Sequence, residues 1–145
     1  MYTLQAIIAK TGTLSIPSTL NVKIVPLQQG YEMLPFTNSF LEDSNIPFLP
    51  LTDEGQEILP NSIKSLCEVL SKQNQLAYVE AELFGGAGTQ ASVVFSNGRL
   101  EVAPKICQSA INQAMAALGV TKAEKPDEFE AIGLNEHRDT NKWVE

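Results

Sequence analysis

Between residues 76 and 103 the chain reads LAYVEAELFGGAGTQASVVFSNGRLEVA, and this stretch restricts the fold more than any other. Ala77, Val79, Ala81 and Leu83 alternate with Tyr78, Glu80, Glu82 and Phe84, the period of two that sends successive side chains to opposite faces of a strand. Asn97-Gly98 then gives a two-residue hairpin signal, because a type I′ turn needs positive φ at both central positions, which Asn tolerates and Gly adopts freely. A turn there places Ser96 opposite Arg99, Phe95 opposite Leu100 and Val93 opposite Val102, with the apolar side chains gathered on one face. The stretch therefore predicts three antiparallel strands.

Helical periodicity flanks it on both sides. Pro60 opens a segment over 60–72 in which Ile63, Leu66, Cys67 and Leu70 recur at the i, i+3, i+4, i+7 spacing of one buried stripe. Cys107, Ala110, Ile111, Ala114 and Leu118 form a second stripe over 105–118, with Pro104 as its start and Gly119 as its stop. Both cysteines, Cys67 and Cys107, fall on these apolar helix faces, where a free thiol acts as a small buried hydrophobe. Earlier in the chain, residues 2–10 form a strand whose two faces are both partly apolar. A second strand follows over 21–28, and Pro26 makes it an edge or a bulge. Gly30 turns the chain into a returning arm over 31–36.

The pattern fails over 37–59, where Asn, Asp, Ser, Pro and Gly interrupt it, apart from one helical turn over 39–43. Phe40, Ile46, Phe48, Leu49, Leu51 and Ile58 make this segment too apolar for a solvated linker, so it is either pinned to the core or a binding loop. A short helix over 128–132 precedes a polar tail. The expected fold is a single α+β domain over 1–145: a mostly antiparallel sheet of about five or six strands, two main helices on one face, and a short C-terminal helix.

Composition narrows the function classes. Ten Lys and Arg against seventeen Asp and Glu give a net charge of −7, with the basic residues scattered singly. Nucleic acid needs a positive patch that releases counterions, so it is excluded as a partner, whereas a basic protein is favoured. No apolar run is long enough for a bilayer and the N-terminus lacks a secretory pattern, so a cytoplasmic protein without a membrane partner is expected. Composition leaves monomer and homodimer equally open.

Few residues invite chemistry. Gly85-Gly86-Ala87-Gly88 leads into a strand rather than a helix N-terminus, so it reads as a hairpin connection, not a phosphate loop. Glu80 and Glu82 share a strand face with Tyr78 and Phe84; with Gly86 they form the candidate binding surface, since aromatic side chains on a polar face suggest that it is covered or binds something. His137, the only histidine, sits beside Arg138 and Asp139 in EHRDT, a setting for a general base or for an ion-pair network docking the tail. Hydrolytic and zinc motifs are missing, and no cofactor or metal is expected.

Four pieces, LQAIIA, IVPLQQGYEMLPFT, AYVEAELFGGAGTQASVVF and the run from AINQAMAALGV to FEAIGLNEHRDTNKW, resemble a small bacterial family of uncharacterised single-domain proteins. The resemblance covers most of the chain and implies a stand-alone bacterial domain. It adds weight to the Glu80/Glu82 strand, the glycine connection and the HRDT segment as one surface. The expected function is a non-enzymatic interaction domain that neutralises a basic partner, as acidic immunity proteins do. The alternative is a small-ligand-binding protein or enzyme using His137, Arg138 and Asp139 with Glu80 or Glu82.

Overall fold

In a computed structural model of the chain, residues 1–20 and 22–145 are described; Asn21, where the expected second strand begins, lies outside them. Six strands make one antiparallel sheet in the order β2-β3-β1-β4-β5-β6. These are β1 (Tyr2–Lys10), β2 (Val25–Pro26), β3 (Tyr31–Pro35), β4 (Gln75–Phe84), β5 (Ala87–Ser96) and β6 (Arg99–Cys107). Four helices accompany them: α1 (Asn38–Asp43), α2 (Asn61–Leu70), α3 (Ala110–Ala117) and α4 (Glu128–Ala131), with a 3-10 turn over Thr140–Val144. The α+β class and the antiparallel sheet are as expected, and the short β2 lies at the edge, where Pro26 needs no ladder partner for its missing N–H.

The helices do not share a face. Leu4, Ala6 and Ile8 of β1, with Ala77, Val79 and Ala81 of β4, pack against Ile111, Ala114 and Met115 of α3. Ile7 and Ala9, with Leu76, Tyr78, Val93 and Phe95, pack on the opposite side against Ile63, Cys67 and Leu70 of α2. Both faces of the central strands are apolar, and burying one Ile or Leu side chain contributes roughly 1.5–3 kcal/mol, so each face draws a helical layer. A two-layer reading missed this because the Tyr78 face also carries two glutamates.

The chain between 37 and 59 completes the α2 layer. Thr37 caps α1 by accepting a hydrogen bond from the Phe40 amide at 3.1 Å. Phe40, Leu41, Ile46, Leu51 and Leu59 are buried, whereas Phe48, Leu49 and Ile58 stand in solvent. The segment is thus pinned at intervals and exposes apolar side chains between its anchors.

At the other edge, Asn97 and Gly98 adopt φ of 55° and 76°, and Ser96 pairs with Arg99 and Phe95 with Leu100 as expected. Beyond that the register shifts at a bulge, so Val102 pairs with Val94 and not with Val93. The extra residue turns Val102 to the α3 face while Leu100 stays on the α2 face. β6 also runs through Pro104 to Cys107, and α3 begins only at Ala110. Proline is tolerated there because β6 is the other edge strand. Cys107 is consequently exposed on a strand rather than buried on a helix, and hydrogen bonds from Ser109 lower its thiol pKa. Cys67 is buried, and burial raises its thiol pKa.

The C-terminal segment docks on β1 by hydrogen bonds, not by an ion-pair network. The Thr3 amide donates to the Arg138 carbonyl at 2.9 Å, the Gln5 amide to Thr140 Oγ1 at 3.1 Å, and the Tyr2 hydroxyl to the Leu134 carbonyl at 2.7 Å. Among the described residues the one ion pair is Lys142–Glu145, 3.2 Å apart and exposed. No helix among them is long and apolar enough to cross a membrane.

Candidate functional site

Docking of the tail beside β1 and folding of residues 44–59 over the sheet leave a cleft of about 280 Å³ between them. Its floor is the α2 face of β1 and β4, where Gln5 pairs with Glu80 and Thr3 with Glu82. Phe36 and Leu41 line one side, Phe48, Pro50 and Thr52 another, and Asp139, Thr140 and Asn141 a third. The α1 and tail walls are tied together, the Asn38 amide donating to Asn141 Oδ1 at 2.9 Å. The Asn141 amide in turn donates to Asp139 Oδ1 at 2.8 Å.

Glu80 is the unusual member. Only 2% of its surface is exposed, which is rare for a carboxylate without a cationic partner. Its oxygens are held from two sides: Tyr78 OH donates to Oε2 in a very short contact, and the Thr52 amide donates to Oε1 at 3.2 Å. Behind Tyr78, Gln5 Nε2 donates to the phenol oxygen at 2.9 Å. The other atom of that amide, Gln5 Oε1, is buried and receives no hydrogen bond from the described residues. Burial raises the Glu80 pKa above its ordinary 4.5, only partly offset by the hydrogen bonds from Tyr78, Thr52 and Leu51, and the Asp53 charge adds to the rise. Burial and then the Glu80 charge hold the Tyr78 phenol well above its ordinary value, so Tyr78 remains a donor throughout the neutral range.

The sign of the Glu80 shift gives a test. A carboxyl whose pKa is raised by folding binds its proton more tightly in the folded state, so its contribution to stability is complete below pH 4.5 and is lost as pH rises through the folded value. Wild-type stability, measured by urea unfolding, is expected to fall relative to Glu80→Gln as pH rises from 4.5 to 8. Parallel curves for the two proteins would contradict a raised pKa.

No protein family, curated protein or solved structure matches this chain. The site therefore rests on its own geometry.

The residues singled out from the sequence divide in two. Glu80, Glu82 and Asp139 meet in the cleft, with Tyr78 buried directly behind Glu80. Phe84 is 47% exposed at the end of β4 and Gly86 occupies the turn beyond it; neither lines the cleft. His137 and Arg138 are exposed and do not line it either. The His137 ring instead meets the edge of Trp143 at 4.7 Å between centroids, and Arg138 contributes its backbone carbonyl to Thr3. Sequence reasoning missed Gln5, Thr52 and Asn141. Only Gln5 left a signal: a polar residue on the strand face that continues as Ile7 and Ala9, opposite the glutamate that interrupts β4 on the same face.

Proposed function

We propose that this protein is a binding domain whose acidic cleft receives a cationic side chain from a basic protein partner. The observation that carries this reading is the cleft's one-sided chemistry. Glu80, Glu82 and Asp139 line it, and among the described residues no Lys, Arg or His does so. A net charge of −7 favours encounter with a basic surface. Phe48 lines it while 68% exposed, and the next residue, Leu49, is 49% exposed, apolar surface of the kind that interfaces cover. Neutralisation of a basic toxin is one activity such a domain performs.

A small amine would find the same acceptors, and the volume of about 280 Å³ suits a small ligand as well as a side chain. For an enzyme using His137, by contrast, the cleft supplies carboxylates without the imidazole.

The test is affinity capture from the native host with three baits: wild type, Glu82→Lys and Glu124→Lys. Glu82 is half-buried at the cleft floor while Glu124 is exposed and does not line the cleft, and the two substitutions change net charge equally. A partner retained by wild type and Glu124→Lys but lost from Glu82→Lys supports the reading. Identical captures by all three would refute it.

A further inference from the structure

β6 ends the sheet, and among the described residues no strand pairs with its outer edge. It has nine residues, all exposed but Val102. The register shows what that edge offers. The Asn97-Gly98 turn closes on the Ser96–Arg99 pair, so the even-numbered residues of β5 turn their N–H and C=O toward β6 and the odd-numbered ones toward β4. Leu100 and Ile106 lie opposite Phe95 and Ala91, both odd-numbered, and therefore turn their own N–H and C=O outward. The same two residues carry the large exposed apolar side chains of the strand, 47% and 42% exposed, on the α2 face that Phe95 and Ala91 share. Glu101 and Lys105 stand on the other face, Glu101 accepting from Gln75 Nε2 at 2.9 Å and Lys105 Nζ donating to Gln113 of α3 at 2.7 Å.

We propose that β6 pairs with β6 of a second copy of this chain, antiparallel about a two-fold axis at Ala103, so that the two sheets join edge to edge. Such an axis demands a surface complementary to itself, and this register meets the demand. Leu100 lies opposite Ile106 of the other copy on one face and Glu101 opposite its Lys105 on the other, each pair occurring twice. The outward N–H and C=O groups of Leu100 and Ile106 then meet one another. Pro104 falls opposite Val102, whose N–H and C=O face β5 because Val102 pairs with Val94, so the missing N–H leaves no acceptor empty.

Neighbouring registers fail. An axis at Val102 sets Arg99 against Lys105, and one at Pro104 sets Leu100 against Gln108 and Glu101 against Cys107. Charges and proline on an edge strand ordinarily keep other strands away. On β6 they select: a foreign strand meets Glu101 and Lys105 without their complement, whereas a second copy brings it. No residue of β6 lines the cleft, so the pairing leaves the cleft open. One strand a side is a small contact, and the dimer is accordingly weak and concentration-dependent.

The experiment is sedimentation equilibrium of the whole chain from about 10 μM to about 1 mM, the range in which a weak interface assembles. Wild type is compared with Glu101→Lys, Lys105→Glu, the double variant carrying both, and Glu124→Lys, an exposed control off the edge that repeats the charge change of Glu101→Lys. Glu101 and Lys105 are also exposed, so the fold tolerates their reversal. Wild type and Glu124→Lys are expected to dimerise alike. Each single reversal should raise the dissociation constant about tenfold or more, because two attractive cross-strand pairs become repulsive, and the double variant should recover the wild-type value. A wild type that stays monomeric throughout would overturn the proposal. A dimer indifferent to the single reversals would overturn the β6 edge as its interface. Single reversals that weaken the dimer without recovery in the double variant would overturn the register about Ala103.

Discussion

Gly88→Ala is expected to destabilise the protein by on the order of 4 kcal/mol, enough to leave little folded chain, because two penalties act at one atom. Gly88 has φ of +126°, a conformation that residues with a Cβ rarely adopt. A Cβ built there collides with the Glu82 carbonyl oxygen and lies 2.8 Å from Leu83 Cα. These are backbone atoms of the paired strand and cannot swing aside, so relief requires β4 and β5 to separate where Leu83 pairs with Gly88. Gly85 supplies the control. Its φ of +50° lies in the left-handed region with open space around it, and Gly85→Ala should cost only about 1 kcal/mol. Urea denaturation of the two variants checks the contrast; equal losses would mean that backbone strain alone, and not the close approach, sets the requirement for glycine at position 88. The same defect reaches the cleft, since Glu82 is the residue whose carbonyl would be displaced.

Phe36→Ala is expected to cost about 3–5 kcal/mol, the usual range for a fully buried aromatic side chain. Phe36 is 2% exposed, with its ring centroid 5.0 Å from Phe40 and 5.7 Å from Tyr78. It therefore joins the α1 wall of the cleft to the phenol that donates to Glu80. Removing the ring leaves a cavity under α1, and that helix, with six residues, cannot hold its place without tertiary packing. Phe36→Leu retains most of the volume and should lose under about 1.5 kcal/mol. If Phe36→Ala folds well enough to serve as bait, its capture of a basic partner should fall further than that of Phe36→Leu. Equal capture by the two variants would show that the ring supports the fold without shaping the cleft.

Residues whose signals are local were legible in the sequence. Asn97-Gly98 declares its own turn chemistry, the stripe on α2 its own period, and Pro26 its own edge position. What misled was information that only the partner strand holds. Pro104 reads equally as the first residue of a helix or as a tolerated proline in an edge strand, and only the outer position of β6 decides between them. The bulge that moves Val102 to the other face has no marker in RLEVA. The Tyr78–Glu80–Glu82 face was noticed as covered or binding, and alternation could not decide between the two, because it reports a second face without saying what lies on it. Its cover comes from residues 44–59, which carry no periodicity, and the Thr52 amide that meets Glu80 is a backbone group that could not be assigned from residue types. The HRDT segment was brought to the same end of the sheet, yet the acid lines the cleft and the histidine does not, a distinction set by how Asp139 caps the 3-10 turn.

The place of β1 bears on how the chain finds this structure. The first strand in the sequence is a central strand of the sheet; β3 pairs with one of its edges soon after, Ala6 meeting Pro35, but the partner of the other edge arrives late: Ile7 pairs with Tyr78, about 70 positions on, and Gln5 bonds Thr140 across 135 positions. The β4–β5–β6 meander closes through two-residue turns at small entropic cost, while seating β1 against it must close a long loop before any contact rewards the closure. During synthesis a strand with apolar residues on both faces thus keeps one edge unpaired until more than half of the chain is made, and the interval before β4 emerges is the time at which this protein is most exposed to misassembly.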